Sequence, residues 1–258
     1  KYMPFSIGDL ALVVDNKRKR YLFSLVADGE FHTHAGILYH NDILEKDSGS
    51  QVRNSKDHVF IVLTPTMSDY ILKMPRGAQV IYPKDHGTII TYADIFPGAR
   101  VLESGVGSGA LSISLLRAIG NTGELIGYDI REDFAEQAKR NVYKYMGDDV
   151  PWKVVVKDIY KGIDDTNLDR IVLDLPEPWN VVEHAEKALT PGGIFISYVP
   201  QITQAVRLRE ALSNSKFAFE STFETLLRTW KIEGQIARPD HRMVAHTGFL
   251  TVARLLTY

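Results

Sequence analysis

The chain has 258 residues, 45% of them apolar, which is enough for one large domain or two smaller ones around a substantial core. It contains no cysteine, which excludes disulfides and thiolate metal sites and fits a reducing compartment such as the cytoplasm. A net charge of −2 argues against a dedicated nucleic-acid-binding domain, and the lack of a long apolar run or a signal peptide predicts a soluble cytoplasmic protein without a membrane span.

Two local groups of cations weaken the argument from net charge. Lys17 to Arg20 are four consecutive cations, and a late segment carries Arg228, Lys231, Arg238 and Arg242. Such runs are commonly solvated turns, but association of several subunits could gather them around one groove.

Residues 1–64 are rich in β-branched and aromatic residues and are interrupted by turn residues, which predicts a small β domain. Residues 65–98 form a connector with scattered prolines. Its stretch MPRGAQVIYPKD, residues 74–85, is dense in proline, glycine and charge, so we expect a loop-rich passage with a role beyond spacing.

Residues 99–258 alternate between short apolar strands and amphipathic helices, which is typical of a parallel sheet covered on both faces. Two strand-like pieces near the end, FETLLRTWKI and HTGFLTVARLL, predict a C-terminal antiparallel hairpin that closes the sheet. The sequence therefore predicts an α/β fold with a doubly wound, Rossmann-like sheet, preceded by a small β domain.

The glycine-rich loop follows the first strand of this pattern in ESGVGSGALS, residues 103–112. The glycines alone allow either a dinucleotide or S-adenosylmethionine, because Gly105, Gly107 and Ala110 also satisfy a permissive dinucleotide fingerprint. Glu103 would oppose a pyrophosphate but suits an ammonium or sulfonium group, which favours S-adenosylmethionine.

Acidic residues also follow the next two strands. Asp129 in YDIR can accept the hydroxyls of a ribose, and Asp158 in VVVKD can accept a hydrogen bond from an adenine amino group. Each acid alone is more commonly a helix cap or a solvated turn. Three acids at successive strand ends beside a glycine loop favour a nucleoside-containing ligand.

After the fourth strand stands DLPEPW, residues 174–179. Two prolines make this segment stiff, because proline fixes φ and has no amide donor. One interpretation is a proline-started helix at Pro178. The other is a rigid clamp in which Asp174 accepts hydrogen bonds from the amino group of a planar base while aromatic surface stacks on the base.

The ordered set of ESGVGSGALS, YDIR, VVVKD and DLPEPW resembles class I S-adenosylmethionine-dependent methyltransferases. Together with FSIGD and EFHTHAG near the start and PRGAQVIYPKD in the connector, it is similar to one family, the tRNA adenine-N1 methyltransferases that modify the T-loop adenine at position 58. The resemblance covers essentially the whole chain and implies S-adenosylmethionine as cofactor, tRNA as substrate and a homotetramer.

The resemblance also implies roles for individual residues. The cofactor would contact Glu103, Gly105, Gly107, Ser108, Gly109, Ala110, Leu111, Asp129, Phe134, Asp158 and Asp174. Asp174 would be the main catalytic carboxylate, and Tyr82 and Tyr198 would surround the target base. The two tyrosines fit a role as core aromatics equally well. Asp129 stands where relatives often carry Glu, and nothing in the sequence decides whether position 57 is also methylated.

The histidines at 32, 34 and 40 form the sequence's one candidate for a metal site. No acidic partner is paired with them and methyl transfer needs no metal, so we expect none and treat them as packing or subunit-contact residues.

Three other functions remain as alternatives. A methyltransferase of a protein or of another nucleic acid would share the fold and cofactor, although a protein substrate has no evident need for DLPEPW. A non-catalytic tRNA-binding subunit would be free to lose the glycines, Asp129 and Asp174, all of which this chain keeps. A nicotinamide dehydrogenase would need a hydride-accepting site that the sequence does not reveal.

Overall fold

The computed structural model describes residues 3–77 and 79–257, and the chain divides into two units between Met74 and Pro75. This boundary falls inside the stretch that the sequence predicts to be a connector. Residues 65–74 therefore go with the N-terminal unit and residues 75–98 with the second one.

The N-terminal unit is built mainly of short antiparallel strands, as predicted. Its elements are β1 (Leu10–Asp15), β2 (Arg20–Ser24), β3 (Glu30–Thr33), β4 (Gly36–Tyr39), β5 (Gln51–Arg53), β6 (Val59–Leu63) and the helix α1 (Met67–Lys73). Four strands form a sheet in the order β2-β1-β6-β5 within residues 3–77, and β3 pairs with β4. Alternation in β6 buries Phe60 and Val62 in the unit's core together with Val13, Leu25 and Leu38.

The three histidines lie in different surroundings. His40 is buried, stacks on Phe23 at 4.8 Å between ring centroids and accepts a hydrogen bond from the Val26 amide. His32 is exposed beside Glu30, and His34 contacts the Tyr21 hydroxyl. Within the described residues, no group of three or more histidine, aspartate or glutamate side chains could hold a metal ion.

The second unit carries a larger sheet with helices on both faces. Its strands are β7 (Arg100–Ser104), β8 (Glu124–Asp129), β9 (Trp152–Val156), β10 (Leu168–Asp174), β11 (Leu189–Val199), β12 (Phe217–Phe223), β13 (Trp230–Glu233), β14 (Ile236–Pro239) and β15 (Phe249–Leu255). Within residues 79–257, seven of them form one sheet in the order β12-β15-β11-β10-β7-β8-β9. The five strands from β11 to β9 are parallel, which confirms the predicted α/β architecture.

The helices of this unit are α2 (Pro83–Tyr92), α3 (Ala110–Ile119), α4 (Glu132–Met146), α5 (Val182–Ala188) and α6 (Ile202–Ser213). Those from α3 to α6 follow the predicted alternation. In α4 the side chains of Ala135, Ala138 and Val142 form one buried stripe at helical spacing, so the sequence period decides which face packs on the sheet. No helix of the described residues is long and apolar enough to cross a membrane.

Two sequence predictions need correction here. The antiparallel pair at the sheet edge is present, but its first strand is β12, earlier than the predicted FETLLRTWKI, and the separate hairpin β13–β14 comes between β12 and β15 along the chain. The connector is also more helical than predicted, because it contains the whole of α1 and α2. Its PRGAQVIY portion precedes α2, with Pro83 at the first turn of that helix, and Ala78 lies outside the described residues.

Candidate active site

The predicted site residues meet where the winding of the sheet reverses. Strand β7 has β8 on one side and β10 on the other, so the connections leave it in opposite directions. In open α/β sheets this arrangement leaves a crevice at the carboxyl ends of the strands, where ligands bind. The glycine-rich loop after Ser104 and the segment after Asp174 border that crevice.

The glycine-rich loop requires glycine at its first position. Gly105 has a φ of +85°, and a Cβ there would lie 2.1 Å from the carbonyl oxygen of Asp174. The loop backbone therefore passes directly against the end of β10. At the other end of the loop, Gly109 has a φ of +80° and precedes α3, whose first two residues, Ala110 and Leu111, line the smaller of the two cavities described next.

Two cavities lie on either side of Gly105. The larger, of about 160 Å³, is lined by Ser104, Gly105, Asp129, Ile130, Lys157, Asp158, Ile159, Tyr160, Leu175 and Pro176. The smaller, of about 20 Å³, is lined by Gln79, Val80, Ile81, Gly105, Val106, Gly107, Ser108, Ala110, Leu111 and Asp174. Most of the residues predicted to bind the cofactor therefore surround one bipartite crevice.

Glu103 lies beneath the glycine-rich loop at the end of β7. It is 1% exposed, its Oε2 accepts a hydrogen bond of 2.6 Å from Ser112, and its Oε1 is buried without a hydrogen-bond partner among the described residues. Burial raises the pKa of Glu103 to about 8, and the nearby carboxylates of Asp174 and Asp129 add to the rise while Ser112 opposes it. A cationic group brought close to this carboxyl would stabilise its ionised form.

The two other acids at strand ends hold the loops around the larger cavity. Asp129 accepts hydrogen bonds of 2.9 Å from the amides of Gly107 and Arg131, so it orders the glycine-rich loop. Asp158 caps a short helical turn by accepting from the Tyr160 amide at 3.1 Å. Each carboxylate oxygen can accept more than one hydrogen bond, so both residues retain capacity for a ligand.

Asp174 ends β10 and lines the smaller cavity. Within the described part of the chain, its carboxylate has no hydrogen-bond or ion-pair partner, and burial raises its pKa to about 7. A carboxylate that is poorly solvated and unpaired beside a cavity is suited to meet a positive charge that develops there.

Tyr198 is the register partner of Asp174 on the neighbouring parallel strand β11. Burial raises the pKa of the Tyr198 phenol to about 12, with further contributions from the charges of Asp85 and Asp174 and from Tyr82. Tyr82 is the residue that precedes α2, and its hydroxyl lies 3.5 Å from the side-chain nitrogen Nε2 of Gln79. The two tyrosines and Asp174 therefore share one neighbourhood.

Two aromatic residues lie elsewhere. Phe134 packs against Arg131, whose guanidinium carbon is 3.6 Å from the ring centroid, and among the described residues it does not line either cavity. Its contact with the cofactor stays a prediction. Trp179 of DLPEPW is covered by Arg207 at 3.9 Å, while Pro178 begins a short helical turn, as the first interpretation of that segment states.

Sequence reasoning missed several residues that shape the crevice. Asn141 on α4 donates hydrogen bonds to the carbonyls of Pro75 and Ser108 at 2.8 and 2.9 Å, so it joins the connector to the glycine-rich loop. A polar residue within the apolar stripe of α4 was a signal that could have found it. The buried pair Lys84–Asp85 gave no such signal, because its partner Thr247 is 162 residues away from Asp85.

Comparison with known protein families identifies the group to which this chain belongs. Residues 57–236 match the family described as the tRNA methyltransferase complex GCD14 subunit, and residues 4–52 match the TrmI-like N-terminal family. The chain belongs to the TrmI family of tRNA methyltransferases. It is accordingly a class I enzyme that uses S-adenosylmethionine.

Individual relatives span almost the whole chain. The TrmI protein of Methanocaldococcus jannaschii, named as a methyltransferase of adenines 57 and 58, is 38% identical over 95% of this chain and 94% of its own. A TrmI protein of Thermus thermophilus, named for adenine 58, is 36% identical over 94% of this chain and 95% of its own.

Solved structures give the same grouping. A structure from Thermotoga maritima, described as an S-adenosylmethionine-dependent O-methyltransferase, superposes with a TM-score of 0.94 at 33% identity and covers 98% of this chain and 95% of its own. The TrmI structure of Aquifex aeolicus gives a TM-score of 0.86 at 27% identity, with 99% and 100% covered.

The residues of the crevice fit S-adenosylmethionine. The unpartnered, buried Oε1 of Glu103 suits a cationic group nearby, and the absence of a side chain at Gly105 lets the glycine-rich loop pass directly against the end of β10. The acids Asp129 and Asp158 beside the larger cavity suit the ribose and adenine ends of the cofactor.

Proposed function

We propose that this enzyme methylates N1 of adenine 58 in the T-loop of tRNA, with Asp174 as the main catalytic carboxylate. The observation that carries the assignment of Asp174 is its position, unpaired and poorly solvated, between the cofactor crevice and Tyr198. The relatives named as adenine-N1 methyltransferases support the choice of reaction.

Charge development explains why a carboxylate is needed. Adenine N1 has an in-plane lone pair, so no base has to expose the nucleophile. When bound, S-adenosylmethionine would supply the methyl group: the new bond to N1 would form as the bond to the sulfonium sulfur breaks. The sulfur would leave as the neutral thioether of S-adenosylhomocysteine, and the neutral adenine ring would become cationic. Asp174 accepts a hydrogen bond from the adenine N6 amino group and stabilises that growing charge at a fixed position.

Tyr82 and Tyr198 form the walls of the slot for the base in this proposal. Enzymes that modify a nucleobase take it out of its stack and hold it between aromatic or apolar surfaces. The register between Asp174 and Tyr198 puts one such surface beside the carboxylate. The T-loop adenine would lie against these tyrosines with its N1 toward the cofactor crevice.

Position 57 is a further candidate substrate. The relative named for adenines 57 and 58 and the relative named for adenine 58 alone have similar identities, 38% and 36%, so similarity does not choose between them. Transcripts that lack adenine at one of the two positions test the choice directly.

Two other functions make different predictions. A non-catalytic tRNA-binding subunit would bind tRNA without transferring a methyl group, whereas this chain retains the glycine-rich loop, Asp129 and Asp174. An O-methyltransferase, the description of the Thermotoga maritima structure, would need a base to take the proton from a hydroxyl nucleophile, and its product would not be N1-methyladenosine.

We also propose that the enzyme works in the cytoplasm as a homotetramer. Support for association comes from residues 226–244, where several large apolar side chains are more than half exposed: Leu226, Leu227, Trp230, Ile232, Ile236 and Val244. A second copy of the chain would cover them. Assembly would also bring together cations from several subunits, such as Lys231 and Arg238, for binding the tRNA backbone.

The first experiment incubates the enzyme with unmodified tRNA transcript and radiolabelled S-adenosylmethionine, then digests the RNA and separates the nucleosides. We expect the label in N1-methyladenosine and its loss when adenine 58 is changed to guanosine. Label in another nucleoside, or tRNA binding without label, would contradict the proposed reaction.

Replacing Asp174 tests the assignment of the catalytic group. We expect Asp174→Ala to lower kcat on the order of 10²–10³-fold, as is found when one preorganised electrostatic partner is removed. Asp174→Asn keeps the volume but lacks the charge and should also be impaired. The exposed Asp148→Ala serves as control, and full activity of Asp174→Ala would contradict the assignment.

A further inference from the structure

A buried pair of charges lies at the start of α2. The Asp85 side chain is fully buried and that of Lys84 is 8% exposed, with 2.8 Å between Nζ and Oδ1. The Lys84 ammonium also donates to the Thr225 carbonyl at 2.6 Å and to the Thr247 hydroxyl at 2.7 Å. Its three donors therefore have three acceptors, which a buried ammonium needs because desolvation is costly.

Thr247 connects this pair to Tyr198. Its hydroxyl donates to Asp85 Oδ2 at 2.8 Å and accepts from the Lys84 ammonium at 2.7 Å, so both members of the pair hold Thr247 in place. At the next residue, a Cβ on Gly248 would lie 2.3 Å from Cζ of Tyr198. The backbone at residues 247–248 therefore lies directly on the Tyr198 ring, and its placement decides where that ring can be.

The same pair is joined to Tyr82 through the backbone. The Tyr82 carbonyl accepts hydrogen bonds from the amides of Asp85 at 2.9 Å and His86 at 3.2 Å, which makes Tyr82 part of the first turn of α2. The backbone at Tyr82 and the segment that contacts Tyr198 are thus both bonded to the same buried ion pair. The two tyrosines come from distant parts of the sequence, yet they share this support.

We propose that Lys84, Asp85 and Thr247 are positioning residues that set the placement of Tyr82 and Tyr198 around the target adenine. The inference rests on the proposed function, in which those tyrosines form the slot for the base. Hydrogen bonds from a charged pair have fixed directions, whereas an apolar cluster of similar volume would not specify the separation of the tyrosines. The three residues act through the tyrosines and do not contact the reacting atoms.

Thr247→Val tests the proposal with a small change, since it removes the hydroxyl and keeps the shape of the side chain. We expect kcat with tRNA to fall about 10-fold, because small misplacements in an active site have large effects on rate, while the affinity for S-adenosylhomocysteine is unchanged. Thr247→Ser, which retains a hydroxyl, should restore most of kcat.

Thr88→Val is a matched control on the same helix. The Thr88 hydroxyl contacts the Lys84 carbonyl and the Thr225 hydroxyl, at 3.1 Å in each case, but the described contacts do not link it to Tyr198. We expect this variant to keep the wild-type kcat. A general loss of stability would instead reduce the activity of both valine variants in proportion to their lowered Tm.

A double-mutant cycle with Tyr198→Ala, which removes the ring, distinguishes positioning from a separate effect. If Thr247 acts through the Tyr198 ring, then Thr247→Val should reduce kcat much less in the Tyr198→Ala background than in the wild type. If the wild-type enzyme forms N1-methyladenosine, the inference would be overturned by additive effects of the two substitutions on kcat or by a wild-type kcat for Thr247→Val. A wild-type enzyme that forms no N1-methyladenosine would instead overturn the proposed function and this inference with it.

Discussion

Asp174 and Glu103 are two carboxyl groups beside the glycine-rich loop whose surroundings differ. Asp174 faces a cavity, and its carboxylate has no hydrogen-bond partner among the described residues. Glu103 lies under the glycine-rich loop and accepts a hydrogen bond from Ser112. Burial raises the pKa of both, to about 7 and about 8. Both groups therefore favour a cationic ligand, which lowers the cost of ionising a buried carboxyl group.

Glu103 should give the cofactor-free enzyme a recognisable dependence of stability on pH. Its ordinary pKa of 4.5 applies to the unfolded chain and about 8 to the folded one. Between these values the folded chain holds a proton that the unfolded chain has lost, so the free energy of unfolding falls as pH rises. Glu103→Gln cannot lose a proton, and we expect its Tm to fall less between pH 5 and 8.

Thermal unfolding at a series of pH values measures this difference. Asp174 keeps its own contribution in the variant, which also decreases with rising pH, because its pKa is raised as well. The exposed Glu210→Gln is the control and should follow the wild type. Parallel curves for Glu103→Gln and wild type would show that Glu103 does not bind the extra proton.

At the scale of elements, the path of the glycine-rich loop after β7 depends on how closely it approaches the end of β10. The Gly105 backbone touches the Asp174 carbonyl, so the loop that borders the cofactor crevice and the strand that carries the proposed catalytic carboxylate are in direct contact. A change in the loop should therefore affect both cofactor binding and the position of Asp174.

Gly105→Ala tests that contact. The new Cβ would lie 2.1 Å from the Asp174 carbonyl oxygen, in a left-handed conformation, so we expect lost cofactor binding and a destabilised fold. Gly87 in α2 has open space at its Cβ position, and Gly87→Ala should stabilise the fold by about 0.5–1 kcal/mol. Calorimetric titration with S-adenosylhomocysteine and a melting curve give both results, and unimpaired binding by Gly105→Ala would contradict the role of the contact.

The scale of the element also shows where sequence reasoning succeeds. Helix α3 begins and ends where its pattern predicts, at Ala110 and Ile119, because a strongly apolar period is bounded by glycines on both sides. The sequence pattern places the edge strand β12 too late and predicts a loop where the helix α2 lies. Proline and glycine near Tyr82 indicate a loop, but Pro83 is tolerated in the first turn of a helix.

The candidate site was predictable in part for the same reason. Acids that directly follow strands meet at one edge of a parallel sheet, so Asp129, Asp158 and Asp174 could be placed from the sequence. The support of Tyr198 by the segment at Thr247 and Gly248 could not, because it depends on a contact between residues that are distant along the chain.

At the scale of the whole molecule, the net charge of −2 gives a single chain no overall electrostatic attraction to the phosphate-rich surface of tRNA. The exposed apolar side chains of residues 226–244 give a reason for association, and the cations among them would then belong to a shared surface.

Changing two of these side chains tests the association. We expect Trp230→Ser/Ile232→Ser to form smaller oligomers than the wild type, because both side chains are more than half exposed and would otherwise be buried between copies. Light scattering coupled to size-exclusion chromatography measures the mass. Leu72→Ser, at an exposed position in the N-terminal unit, is the control. An unchanged mass of the double variant would contradict association through the hairpin β13–β14.

The place of β15 in the sheet has a consequence for synthesis on the ribosome. This strand lies between β11 and β12, and Thr247 and Gly248 immediately precede it. During translation the earlier strands and the glycine-rich loop emerge first, and the residues that support Tyr198 leave the exit tunnel after them. A nascent chain can therefore form its cofactor crevice before its slot for the base, so that methyl transfer begins only once β15 has been inserted.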